Sequence, residues 1–293
     1  MEILVTGATG VVGRPLVDSL VKAGAFVRAV TRDALSIWSE ASVTAISGDP
    51  GTPDTLAEAL VGVDALFLHP RAVGQAAGRL LEIAKSQGVK RVVVLSATNV
   101  EEPLEDQPSR YNGDHNREVE AAALASGLEC ISLRASYFAT NAIRSWAGQI
   151  ITQDTVYGPY AEMAEAPIDP ADLGEIAARA LLTDYYVGET MALTGPASIT
   201  HAEMVQTIGQ VLGRPLRYVE VPPDHALEAM TEGGLPVAFV EALLRRYAKL
   251  SGRPAQVSTD GRRVLGRPPC SFADWAKANA NAFQPAAAAR IGH

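Results

Sequence analysis

Through the first half of the chain, short apolar runs alternate with stretches of helical periodicity, and a glycine closes most of them. Ile3–Val5, Val27–Val30, Ala65–Leu68, Arg91–Leu95 and Cys130–Leu133 read as strands, and the β-branched run after Arg91 suits a strand covered on both faces. The helical stretches between them are Pro15–Lys22, stopped at Gly24, a segment from Thr52 to Leu60 before Gly62, about Gln75 to Ser86 before Gly88, and 114–125 ended at Gly127. Thr52 is the expected N-cap of its helix, with Pro53 at the first helical position. Such alternation is how βαβ units read, so an α/β fold with a doubly wound parallel sheet is predicted.

Beyond about residue 150 the alternation weakens. Asp172-Leu-Gly-Glu175 and Thr200-His-Ala-Glu203 both have the spacing of capping boxes that open helices. Met191–Leu193 and Tyr218–Val221 read as strands, Glu203–Leu212 as a helix, and Ala226–Leu250 as helices broken near Gly233-Gly234 and Pro236. The expected organisation is a first domain over 1–150, with return segments from about 165 to 195, and a smaller mixed α/β domain over 151–285. A low-complexity tail at 286–293 is expected to fray. The triplet Gly-Arg-Pro begins at 13, 213, 252 and 266, intervals too irregular for a structural repeat, so it reads as turn chemistry.

Of the 293 residues, 47% are hydrophobic and 20% charged, enough for a substantial core and incompatible with wholesale disorder. The formal charge of −8 lacks the basic footprint that phosphate backbones and anionic membranes attract, which argues against nucleic acid or bilayer as main partner. Cys130 and Cys270 stand far apart, without ligand spacing, so neither a disulfide framework nor a metal site is expected. The opening Met-Glu-Ile-Leu-Val-Thr-Gly lacks the basic and apolar regions of a secretory signal, and a cytoplasmic location is expected.

The strongest chemical signal is Thr6-Gly7-Ala8-Thr9-Gly10-Val11-Val12-Gly13, set between the first strand and the first helix. Gly7 permits a tight turn, Gly10 lets backbone approach a pyrophosphate, and Gly13 lets helix pack close to strand. The helix N-terminus, reached through Thr9, Val11 and Val12, then offers free N–H groups to the anion. Glycines in this spacing are weak evidence alone, but the strand-before, helix-after context is that of a bound dinucleotide. The end of the second strand carries Thr31-Arg32-Asp33. Because a guanidinium forks onto a 2′-phosphate whereas an acid takes ribose hydroxyls, Arg32 favours NADP(H), while Asp33 keeps NAD(H) open. Asp49-Pro50, His69-Pro70-Arg71 and Ser96-Ala97-Thr98-Asn99 stand at further strand ends, where open α/β sheets place ligands. Asp49 is a candidate for the adenine amino group, although an Asp-Pro-Gly turn uses the same letters for its own backbone. His69, Pro70 and Arg71 are candidates to flank the nicotinamide ribose or pyrophosphate.

These motifs resemble the atypical short-chain dehydrogenase/reductase superfamily in its NmrA-like branch, which includes quinone and azo reductases. The resemblance rests on the glycine loop, on Val27-Arg28-Ala29-Val30-Thr31-Arg32, and on Ser126-Gly127-Leu128 leading to Leu133-Arg134-Ala135-Ser136-Tyr137-Phe138-Ala139-Thr140-Asn141. A looser part follows in Leu193-Thr194-Gly195-Pro196 and the helix near Thr200. It implies an NAD(P)-binding Rossmann domain and a small C-terminal domain that shapes the substrate cleft. It does not fix a reaction, since some members reduce substrates and others sense the cofactor ratio.

Reductases of the wider superfamily hold a carbonyl with a serine or threonine and protonate it from a tyrosine, whose pKa a lysine four residues later lowers. Thr98 stands where the hydroxyl residue belongs. The Tyr-xxx-Lys pair is missing, and Tyr111-Asn-Gly-Asp-His115 offers a histidine in place of the lysine. If Glu120 matches the glutamate that usually follows that lysine by four, the family positions fall instead on Asn112 and Asn116, about 100° round a helix. Thr98, Tyr111 and His115 are therefore the catalytic candidates, and His115 has the chemistry to donate a proton near neutral pH. Tyr137 and Phe138 are expected beside the nicotinamide, with a plain core role equally open for Phe138, and Met230, Leu235, Phe239 and Leu243 as apolar lining or plain helix core. The Asp169-Pro-Ala-Asp172 segment reads as a helix start and not as a carboxylate dyad.

The reading that follows is an NADPH-dependent reductase of a small, largely apolar ketone or quinone. Its partner is a small-molecule substrate, with a homodimer left open. A non-catalytic NADP(H)-ratio sensor is the alternative that the missing pair motivates, and a nucleotide-sugar epimerase is disfavoured by the same loss.

Overall fold

The computed structural model describes residues 1–32 and 38–285, so the expectations placed on Asp33 and on the 286–293 tail lie outside the described residues. The chain forms two compact units. The first comprises 1–136, 170–194 and 258–269, and the second 137–169, 195–257 and the chain from Cys270 on.

In the first unit, β1 (Glu2–Val5) leads into α1 (Gly13–Lys22), β2 (Phe26–Thr31) and β3 (Val43–Ser47). The chain then crosses to β4 (Ala65–Leu68), followed by α2 (Pro70–Val73), α3 (Ala77–Ser86), β5 (Arg91–Ala97), α4 (Asn116–Ala125) and β6 (Glu129–Ala135). The strand Thr190–Leu193 completes a seven-stranded sheet of order β3-β2-β1-β4-β5-β6 and then 190–193. All its pairings are parallel. The order is that of a Rossmann sheet, and it reverses direction between β1 and β4, where such sheets open a ligand crevice at their carboxyl ends.

Both faces of the sheet are covered, which is why its strands read as continuous apolar runs. Leu4, Leu66, Leu68, Val92 and Val94 share one core with Leu80, Leu81 and Ala84 of α3 and Val119 and Ala123 of α4. On the other side α1 packs against the helix Pro170–Leu182 so closely that a Cβ on Gly174 would lie 2.7 Å from the Leu16 nitrogen.

Several expectations need correction. The segment after Thr52 forms two short 3-10 turns, Pro53–Leu56 and Glu58–Leu60, and Thr52 makes no side-chain cap. The Thr55 hydroxyl donates to the Thr52 carbonyl at 2.7 Å, a local bond that competes with helix propagation in so short a segment. Asp172 opens no helix: Pro170 already does, and Asp172 sits buried in the first turn, paired with Arg267 at 2.8 Å. Of the four Gly-Arg-Pro triplets, three begin with a left-handed glycine (213, 252 and 266), but Gly13 starts α1 instead.

The first unit ends at Ser136 rather than near 150 and takes back 258–269 as well as 170–194. The reason lies in an unforeseen amphipathic helix, Asn141–Thr152. Its Ala142, Trp146 and Ile150 build the core of the second unit with Met204, Val205 and Ile208 of the helix His201–Leu212 and with Phe272 and Trp275. The capping box at Thr200 and Glu203 forms as expected. Short strands also pair within this unit, Thr155–Gly158 with Arg217–Glu220 and Ala164–Glu165 with Ile199–Thr200. The break at Gly233-Gly234 separates helices Pro223–Glu232 and Val237–Leu250. Among the described residues, no helix is long and apolar enough to cross a membrane.

Candidate functional site

The carboxyl ends of β1 and β4 are tied together by one buried hydroxyl. The Thr6 N–H and Oγ1 both donate to the Phe67 carbonyl, at 3.1 and 3.0 Å, and Oγ1 accepts from the His69 N–H at 2.8 Å. Thr6 therefore fixes the glycine loop and the β4–α2 turn against each other at the crossover of the sheet. Gly7 is left-handed, with φ of +65°, and a Cβ there would meet the His69 Cβ at 3.0 Å. A Cβ on Gly13 would lie 2.1 Å from the Gly7 carbonyl oxygen and 2.7 Å from the Ala8 Cα. The loop thus closes on itself as only glycine allows, with the Gly10 N–H on the Gly7 carbonyl at 3.0 Å.

At Val12, the N-cap of α1, no side chain caps the helix, and no acidic residue occupies its first turn. The exposed Val11 precedes it. An uncapped helix end reached over a glycine cradle fits the pyrophosphate of a dinucleotide, because its N–H groups and the positive end of the helix dipole both face an anion. Arg32 is exposed directly after β2 and makes no hydrogen bond or ion pair among the described residues.

His69 caps α2, its Nδ1 accepting from the Arg71 N–H at 3.3 Å. Burial holds its imidazole below the ordinary range, against the pull of Asp114, so the ring is neutral near pH 7 and Nε2 carries the hydrogen. Pro70 is buried at the first position of that helix. The Arg71 fork is committed to Asp114, at 2.9 and 2.7 Å. Asp49 makes the local turn, its Oδ1 accepting from the Gly51 N–H at 2.9 Å, beside the buried Pro50. Between Gly51 and the stretch Arg71–Ala76 runs an open groove of about 480 Å³.

At the end of β5, Ser96 is buried and, among the described residues, no group bonds its hydroxyl. Thr98 is exposed in the turn that follows. Tyr111 is 38% exposed on the 3-10 turn Pro108–Asn112, and no hydrogen bond joins it to His115. His115 precedes α4 without capping it, its Nδ1 is buried with no hydrogen-bond partner among the described residues, and its ring edge lies 3.9 Å from where a Cβ on Gly74 would stand. Asn116 is buried and donates to the Ser109 hydroxyl at 3.3 Å. Glu120 is buried too, accepting from Ser132 and, at 2.9 Å, from Arg134, which makes it a tie between α4 and β6.

Tyr137 and Phe138 belong to the second unit. Tyr137 packs against its core, and Phe138 forms a bridge to Ile168. The same unit holds buried polar residues that sequence reasoning passed over, Glu165 and His201. The capping box announced the helix at 201 but carried no signal that its first residue is enclosed.

Strand order, crossover and glycine loop together define a Rossmann-type nucleotide-binding protein. The chain belongs to the NmrA-like family, which its residues 1–253 match. It is 35% identical over 288 residues to (4-alkanoyl-5-oxo-2,5-dihydrofuran-3-yl)methyl phosphate reductase of Streptomyces griseus subsp. griseus, covering 97% of this chain and 99% of that one. An NAD(P)H azoreductase of Xenophilus azovorans is 31% identical, over 96% and 99%. Among solved structures, an NADPH-dependent quinone oxidoreductase from Escherichia coli in complex with NADPH shares the fold, with a TM-score of 0.81 at 23% identity, over 95% and 99%.

Proposed function

We propose that the protein is an NADPH-dependent reductase of a small, largely apolar ketone or quinone. The observation that carries this reading is the uncapped start of α1 over a loop in which Gly13 leaves no room for a Cβ. The two relatives described above, similar over nearly their whole length, are reductases by name and support it. Gly7, Thr9, Gly10, Val11, Val12 and Gly13 cradle the pyrophosphate. Arg32 takes the 2′-phosphate, and Asp49, Pro50, His69, Pro70 and Ser96 line the strand ends beside it. When bound, NADPH supplies the hydride. Thr98 orients the substrate oxygen, and Tyr111 and His115 supply the proton that the oxygen gains. The test is oxidation of NADPH by the purified protein over a panel of quinones and ketones. Binding of NADPH without turnover of any of them refutes the reductase and leaves the cofactor-ratio sensor.

Arg32→Ala is expected to weaken NADPH binding by roughly 10- to 100-fold, the worth of charge-assisted bonds to a phosphate, and to leave NADH unchanged. Titration of both cofactors checks it, and equal affinities in the wild type refute the assignment. Tyr111→Phe and His115→Ala should each lower kcat, His115→Ala by on the order of 100-fold, with cofactor affinity intact. Unchanged steady-state turnover in both removes them from the mechanism.

A further inference from the structure

The turn that carries Thr98 belongs to no helix or strand, yet two side chains grip it. Its backbone starts from the sheet: the Thr98 N–H donates to the Ala135 carbonyl of β6 at 3.0 Å, and the Val100 N–H closes back on the Ala97 carbonyl at 3.0 Å. The carbonyls that follow are held from outside the turn. Gln107, only 2% exposed, donates through Nε2 to the Val100 carbonyl at 3.0 Å and to the Glu102 carbonyl at 2.8 Å. Arg117, the second residue of α4, donates to the same pair, through Nε to Val100 at 2.8 Å and through Nη2 to Glu102 at 2.6 Å. Each carbonyl thus accepts two bonds, which occupies both of its lone pairs.

Gln107 alone satisfies both oxygens, so the guanidinium is surplus to that need. What it adds is restraint. Its donors are fixed relative to one another in a plane, so the fork sets the spacing of the two carbonyls, and its charge makes these bonds stronger than those from the amide. Arg117 also spans a gap, because a hollow of about 280 Å³ lies where Val100 and Glu101 face Arg117, Ala121 and Leu124. Close packing therefore does not fasten the turn to the helix there. The helix itself is well anchored, with Val119 and Ala123 in the core under the sheet and Glu120 bonded to Arg134 of β6 at 2.9 Å. Arg117 carries that rigidity across the hollow to the turn.

We propose that Arg117 is a positioning residue for the reduction: it holds the turn so that the Thr98 hydroxyl meets the substrate oxygen in one orientation. The proposal rests on the reductase reading and on Thr98 as the group that orients that oxygen. Connecting turns on a protein surface are ordinarily mobile. A displacement of about 1 Å among groups that position a substrate costs on the order of 100-fold in rate, so a brace from a rigid helix has a direct effect on turnover. Without the fork, the turn keeps Gln107 and its overall path, but Thr98 is spread over a wider range of positions.

The test is a double-mutant cycle in the full chain, with kcat, KM and NADPH affinity measured on the fastest-reduced member of the quinone and ketone panel. Arg117→Met keeps a long unbranched side chain and removes the fork. It is expected to lower kcat by about 10- to 100-fold while KM and NADPH affinity stay within about 2-fold. In the Thr98→Ala background the same substitution should lower kcat by less than about 2-fold, because the group it positions is gone. A residue that only supports the fold costs as much in either background, so equal losses in both overturn the proposal. Wild-type kcat in Arg117→Met overturns it too. Should Arg117→Met not fold, Arg117→Lys, which keeps the charge and loses the fork, takes its place in the cycle and is read in the same way. Wild-type turnover in Thr98→Ala overturns the positioning role and leaves the reductase standing. A wild type that reduces no member of the panel overturns the reductase reading, and the positioning role with it.

Discussion

Gly13→Ala is expected to weaken NADPH binding by on the order of 100-fold and to lower stability by about 1–3 kcal/mol. The added Cβ would stand 2.1 Å from the Gly7 carbonyl oxygen and 2.7 Å from the Ala8 Cα, backbone atoms that have no rotamer to escape into. Either α1 is pushed off β1 or the loop opens, and both outcomes scatter the N–H groups that an anion requires. Gly10 provides the contrast, because a Cβ there meets only the Gly7 carbonyl at 3.2 Å. Gly10→Ala should therefore melt within about 0.5 kcal/mol of the wild type while still losing affinity for NADPH, since its Cβ intrudes on the pyrophosphate. Fluorescence titration and thermal unfolding separate the two effects. Wild-type melting and affinity in Gly13→Ala would mean that no close approach of helix and strand exists there.

The second large effect is a pair of opposed pH dependences in the second unit. Burial holds the Glu165 carboxyl at about 7, against 4.5 in the unfolded chain, so its contribution to stability is whole below 4.5 and is lost as pH rises through 7. Burial holds the His201 imidazole at about 4, against 6.5, so its contribution is whole above 6.5 and is lost as pH falls through 4. Each is worth about 3 kcal/mol, and between pH 4.5 and 6.5 the two slopes cancel. Measured against the wild type, Glu165→Gln should gain about 3 kcal/mol from pH 4.5 to 7, and His201→Phe should lose about as much from pH 4 to 6.5. The positive charge of Arg246 pulls the Glu165 carboxyl down, against the larger effect of burial. The Tyr137 and Tyr247 phenols beside it stay neutral over this range, because burial pushes both further up. Tryptophan fluorescence in urea at a series of pH values reads this unit well, since Trp146 and Trp275 lie in its core. Parallel curves for both variants and the wild type would sink the prediction.

What could be read from the chain before its structure divides along a physical line. Strands β1, β2, β4, β5 and β6 and helix α3 announce themselves because a sheet buried on both faces demands unbroken apolar runs, and such runs are local. The glycine loop was legible for a related reason, as the constraint on Gly7 and Gly13 comes from atoms within a few residues or at the neighbouring strand end. The segment after Thr52 misled because Thr-Pro is a good helix opening, and nothing in those letters reveals that Thr55 turns back on the Thr52 carbonyl. The helix Asn141–Thr152 and the boundary at Ser136 were missed because a helix belongs to whichever core its apolar face meets, a tertiary fact. The cofactor-site candidates show the same limit. Arg71 looked available until the Asp114 carboxylate, far off in sequence, proved to hold it. His201 and Glu165 looked ordinary because enclosure, not identity, makes them unusual.

The discontinuity of the first unit has a consequence for how the chain is made. Its last strand, Thr190–Leu193, is pinned by the Asp260 carboxylate, which accepts the Ala192 N–H at 3.0 Å, and Arg263 of the same late segment reaches Glu189. During synthesis the open edge of β6 has no neighbour until residue 190 leaves the ribosome, and that neighbour has no clasp until after residue 260. Most of the polypeptide must therefore exist before the last strand of this sheet can be clasped in its native place.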